Sequence, residues 1–179
     1  MLKNLSTLDA VFITLMAACG LALKPVIGPL SKLIGSFFFM PGGSFAGAIY
    51  MLWPMLALLV ARSFGAATVV GFLQGAVVLV TGIYGSHGIL SLITYTLPCI
   101  IIDTSYFLLK PVNKHLSLFV PPALGNMASA AIVSYFFMHL PAIPLVVALI
   151  PAFIFGGIGG LIAQKFYDLL IVSFPQFGK

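Results

Sequence analysis

The sequence predicts an all-α integral membrane protein, a bundle of six spanning helices, on three observations. The first is the spacing of charge. From Lys114 to Lys165 the chain runs through 50 residues without an Asp, Glu, Lys or Arg; from Arg62 to Asp103 it does so for 40, and from Lys32 to Arg62 for 29. A charged side chain at the centre of a bilayer costs about 2.5–3.5 kcal/mol on insertion scales, so hydrocarbon enforces such gaps where water has no reason to. The second is composition: 61% hydrophobic and 6% charged residues with a mean hydropathy of +1.21, against roughly 25% charged in a soluble domain. The third is length. At about 20 residues per span, the 179 residues accommodate about five to seven helices, so residues 1–179 are expected to form one membrane domain.

The elements follow from the start and stop signals. Ser6, Thr7, Leu8 and Asp9 have the pattern of a helix-capping start, which places a first helix over residues 7–23. Pro25, Gly28 and Pro29 break it, and residues 30–40 are expected as an apolar connection carrying Lys32. Pro41-Gly42-Gly43 reads as a turn. A second span covers residues 45–61 and a third 66–83; residues 84–88 divide it from a fourth over 89–109, which Lys110-Pro111 stops. A fifth spans 118–138, residues 139–144 break the chain, and a sixth runs over 145–166 into a more amphipathic tail. The stretch after Asp9 carries no convincing cleavage site, so it is expected to remain as a membrane helix.

Counting basic residues sets the orientation. With both termini cytoplasmic, the inner side holds Lys3, Arg62, Lys110, Lys114, Lys165 and Lys179, and the outer side only Lys24 and Lys32. This asymmetry obeys the positive-inside rule and predicts a multi-pass protein of a cell membrane. The formal net charge of +5 comes from scattered single residues and marks topology, not a nucleic-acid patch. Cys19 and Cys99 lie in apolar segments as reduced packing residues.

No catalytic constellation is present: the sequence has no paired carboxylates, no HExxH, no GxGxxG, no Walker lysine and no Ser/His/Asp set that the spans would bring to one depth. It therefore predicts no enzyme, no cofactor and no metal site, since His87 and His139 without an acid make a poor ligand set. Asp103 is the one acid well inside a span; it is expected to pair with Lys110 or the inner headgroups, or to contact a cytoplasmic partner. The outer half is rich in aromatics: residues 37–39, Tyr50, Trp53, Tyr84, Tyr95 and Tyr135. Such residues form either an interfacial belt or the wall of a pocket in which rings stack on a planar ligand. Unpaired amides are costly in hydrocarbon, so Gln74 and Asn126 must face the bundle interior, bonding either a ligand or each other. The candidate ligand contacts are thus Phe39, Tyr50, Trp53, Gln74, Tyr84, His87, Tyr95 and Asn126. Small residues at Ala18 and Ala22, Gly71 and Gly75, and Gly156, Gly157, Gly159 and Gly160 permit close helix approach.

Several stretches together resemble the substrate-binding S component of energy-coupling factor (ECF) transporters, most closely the YkoE-like branch associated with thiamine and its hydroxymethylpyrimidine precursor. They are Tyr50-Met51-Leu52-Trp53, the turn from Ala61 to Ala67, the outer segment from Gly82 to Gly88, Ile102-Asp103-Thr104-Ser105-Tyr106-Phe107-Leu108, and the glycine-rich stretch from Phe155 to Lys165. The resemblance implies a six-helix fold that captures a vitamin or precursor outside. It also implies docking on a membrane coupling subunit carrying two ATPases, with Ala18 and Ala22 as the docking face. That branch tends to carry acids on its third helix, whereas this chain has only Gln74 there, which favours a neutral planar ligand over cationic thiamine. A stand-alone secondary carrier and a non-transporting assembly subunit are the alternatives. The first calls for internal repeats; the second calls for Gln74 paired with Asn126 and no cavity.

Overall fold

The computed structural model describes residues 6–38, 40–82 and 88–174, and among these the secondary structure is helical throughout. Helix α1 (Thr7–Ala22) starts on the expected capping box: the Asp9 N–H donates to Ser6 Oγ at 3.1 Å, and the Ser6 N–H donates to the Asp9 carboxyl at 2.9 Å. At Leu23 the chain bends by 49° into α2 (Lys24–Phe37). Residues 30–37, expected as part of an apolar connection, are therefore helical. Pro25 falls in the first turn of α2, where a helix needs no N–H, so it ends α1 and opens α2 in one step.

The second expected span begins earlier, at Gly42, and consists of two helices, α3 (Gly42–Tyr50) and α4 (Leu52–Ala61). Pro54 explains the break between them, because it has no N–H to return to the Tyr50 carbonyl four residues back. After a turn with Arg62 and Gly65 in left-handed conformations (φ 53° and 94°), α5 spans Ala66–Thr81 and ends on Gly82 at φ 63°. Then come α6 (Leu90–Leu109), α7 (Lys114–Phe136) and α8 (Ala142–Ser173). The α7 start lies four residues before the expected 118 because Asn113 caps it, its Oδ1 accepting from the His115 and Leu116 N–H groups at 2.8 and 3.2 Å. The last helix continues past the expected 166 to Ser173.

Helices α1, α5, α6, α7 and α8 form a ring closed by α3 and α2, and α4 runs through its middle. The α4 residues Leu52 and Pro54 to Ala61 are all buried, which is why this segment is apolar on every side. Among the described residues, four helical units are long and apolar enough to cross a membrane: Gly42–Ala61, Leu90–Leu109, Lys114–Phe136 and Ala142–Ser173. The bent α1–α2 pair makes a fifth if it crosses as one unit, and α5 is a shorter apolar helix. The chain is thus an all-α protein with the helices of a membrane bundle. The glycines of α8 act as expected. A Cβ on Gly159 would lie 2.8 Å from the Ala48 carbonyl oxygen, and one on Gly156 would lie 2.7 Å from Asn126 Cβ, so α8 nests directly against α3 and α7.

Asp103 does not pair with Lys110. Its carboxyl group lies fully buried against the start of α5, accepting from the Ala67 N–H (3.3 Å), the Thr68 N–H (2.8 Å) and the Thr68 hydroxyl (2.6 Å). The α5 N-cap residue, Gly65, has no side chain to offer, so the cap comes from the neighbouring helix. Lys110 instead lies 5.7 Å from the Tyr106 ring centre and 5.9 Å from that of Phe107.

Candidate ligand cavity

The bends and breaks leave a cavity of about 580 Å³ at the end of the bundle where α1 bends and α3 and α6 begin. That volume lies in the range of small-molecule sites, about 300–1,000 Å³. Its walls come from six parts of the chain. The α1–α2 joint supplies Gly20, Lys24, Gly28 and Ser31, and the α3–α4 break supplies Tyr50, Met51, Trp53 and Pro54. Gln74 comes from α5, Thr94, Tyr95, Pro98 and Cys99 from α6, and Asn126, Ser129, Ala130 and Val133 from α7. Pro41, Gly42 and Gly43 at the start of α3 also line it, with Lys32 and Met40.

Of the residues proposed from sequence, Tyr50, Trp53, Gln74, Tyr95 and Asn126 converge on this cavity from five different helices. Phe39, Tyr84 and His87 lie outside the described residues. The remaining aromatics separate cleanly from the five. Phe37, Phe38 and Tyr135 point outward, Tyr135 being 62% exposed, as members of an interfacial belt do. Ala18 and Ala22 also lie on an exposed face of α1, away from the cavity. Gly20 turns inward, where a Cβ would meet Gln74 Nε2 and come within 3.1 Å of the Trp53 ring.

The two amides do not bond each other. Gln74 Nε2 donates to the Ala17 carbonyl at 3.3 Å, tying α5 to α1. Asn126 Nδ2 donates to the carbonyls of Ala152 (2.8 Å) and Ser44 (3.3 Å), tying α7 to α8 and α3. Asn126 is 2% exposed with its nitrogen committed twice, so it braces the wall more than it faces the space. Trp53 is the opposite case: its Nε1 is buried in the cavity wall and has no hydrogen-bond partner among the described residues. A buried donor left unmade costs about 1–3 kcal/mol, which marks Trp53 as a group with an unmet contact.

The charge count placed Lys24 in an outer loop, and here the structure departs most from the sequence expectation. Lys24 is the first residue of α2 and only 9% exposed. Its Nζ stands 3.4 Å from the centre of the Tyr95 ring and 5.6 Å from that of Tyr50, both cavity walls. Each ring face returns about 0.5–2 kcal/mol to a cation, against roughly 3 kcal/mol for placing an ammonium at membrane depth. The sequence did hold a signal: Lys24, Ser31 and Gly35 fall on one helical face of the segment 24–37, and that face is buried. Both cysteines are free; Cys99 is buried beside Gly71, and Cys19 is partly buried.

No protein-family model, curated protein or solved structure matches the chain.

Proposed function

We propose that this chain is the substrate-capture subunit of an ECF-type importer, binding a small, planar, non-cationic molecule in the cavity. The proposal takes the chain across a plasma membrane six times with both termini inside: α1, α3–α4, α5, α6, α7 and α8 cross, and α2 folds beside the cavity. The observation that carries it is the cavity of about 580 Å³, walled by aromatic rings and a few polar groups drawn from separate helices. An assembly subunit that paired Gln74 with Asn126 would have closed this space; here each amide bonds backbone instead.

The charge inside the cavity bears on the ligand. A cation about 6 Å from Lys24 is repelled by roughly 3 kcal/mol at an effective dielectric of about 20, so a thiazolium is opposed and a neutral pyrimidine is not. For energy, the spans offer no relay of acids: the buried acid of α6 is spent as the cap of α5. This supports a binder coupled to a partner ATPase over a stand-alone carrier. The outward small face at Ala18 and Ala22 suits close approach of a partner helix.

The test has two parts. The full chain, purified in detergent, is expected to release a small molecule on heating, identified by mass spectrometry; recovery of lipid alone overturns the reading. Ala18→Trp is then expected to leave binding of that molecule unchanged and to abolish its uptake by the complete complex in vesicles. Normal uptake would remove Ala18 from the docking face.

A further inference from the structure

The cavity lining contains two lysines and, among the described residues, no Asp or Glu. Lys32 is exposed, whereas Lys24 is nine-tenths buried. Among the described residues the Lys24 ammonium has neither a carboxylate nor a hydrogen-bond acceptor; the faces of Tyr95 and Tyr50 meet it at 3.4 and 5.6 Å, and the Cys99 thiol lies in the same wall. A buried ammonium ordinarily finds an opposite charge, because ring faces satisfy none of its three N–H donors. Two further features of the wall favour negative charge. Trp53 presents an indole N–H with nothing to donate to among the described residues. Helix α3 begins at the cavity on Pro41, Gly42 and Gly43 with no side chain capping it, so the positive end of its dipole faces the same space.

We infer that the ligand is a small monocarboxylate with an apolar body, its carboxylate held by Lys24. This inference rests on the capture reading above and narrows it from a non-cationic to an anionic molecule. One buried lysine balances one negative charge. A phosphate monoester, with nearly two charges and three acceptor oxygens, calls for more donors than this wall supplies. Trp53, Pro54, Pro98 and Val133 offer apolar surface to the rest of the molecule. Lys32, about 12 Å further along α2 at 1.5 Å per residue, adds positive potential that draws anions toward the site.

The experiment uses the full chain, wild type and two variants, each purified in the same detergent and heated to release what it holds. Carbodiimide amidation before mass spectrometry then counts carboxyl groups on each released compound. Wild type is expected to release a compound that takes up one amine per molecule. Lys24→Arg is expected to retain it, and Lys24→Met to lose it by about tenfold or more, the loss of one charge-assisted contact, while unfolding within a few degrees of wild type. The carboxyl count needs wild type alone, so it decides even if Lys24→Met does not fold. A released compound without a carboxyl group, or one retained equally by Lys24→Met, overturns the carboxylate assignment and leaves the capture reading standing. A phospholipid or lysophospholipid lost selectively from Lys24→Met means that the lysine holds a lipid phosphate, which also overturns it. Absence of any small molecule from all three proteins defeats the capture reading itself, and the carboxylate with it.

Discussion

Asp103 and Lys24 show how differently two buried charge-bearing residues are used. Asp103 has three donors around its carboxyl group, all at the start of α5, and is structural. Removing it leaves two backbone N–H groups of α5 without an acceptor inside the protein. Asp103→Ala is therefore expected to destabilise the bundle by about 1–3 kcal/mol. Asp103→Asn, which keeps one accepting oxygen, is expected to lose less. Chemical unfolding in detergent, followed by tryptophan fluorescence, measures both; equal stability of Asp103→Ala and wild type would deny the cap. Lys24 lacks such a set of partners and faces a cavity. From the sequence alone the two looked reversed in interest, Asp103 as the single intramembrane acid and Lys24 as a loop charge. The spacing of Lys24 with Ser31 and Gly35 marks a shared face, but neither role is legible there, because each depends on which helix lies opposite.

At the level of elements, the sequence was most informative where one local rule decides the outcome. Ser6 and Asp9 were readable as a cap, and Arg62 as the end of a helix. It was least informative where proline has two meanings. Pro25 was read as a breaker, yet it also starts α2; Pro54 was read through, yet it separates α3 from α4. Both errors fall at cavity walls, since each break lifts backbone away from its neighbours. The glycines give a sharper test of how the elements meet. A Cβ on Gly47 would fall on the Asn126 side chain, close to both its Nδ2 and its Cγ. That amide is the clamp joining α7 to α3 and α8, so even a methyl group must dislodge it. Gly47→Ala is expected to cost about 1–3 kcal/mol by overpacking, and Gly43→Ala, which has open space around it, to cost well under half of that. Paired thermal melts of the two variants in one detergent check the contrast.

For the whole molecule, the charge-free runs predicted membrane helices, and helices long and apolar enough to cross are there. The convergence of Tyr50, Trp53, Gln74, Tyr95 and Asn126 on one space was also approachable from sequence, because polar and aromatic residues that hydrocarbon would reject must face inward. The shape of that space was not, because it depends on the 49° bend between α1 and α2. The cap on α5 has a consequence for how the protein is made. Helix α5 has 16 residues, or about 24 Å of rise, short of the roughly 30 Å of a hydrocarbon core. The residue that completes its first turn is synthesised 35 positions after Thr68. If α5 crosses as proposed, it leaves the ribosome too short and uncapped, and it is expected to settle in the bilayer only once α6 arrives, the two entering as a hairpin. A glycosylation reporter fused after Gly82 is expected to show poor insertion of α5, one fused after Leu109 efficient insertion of the pair, and Asp103→Ala a partial return to the first state.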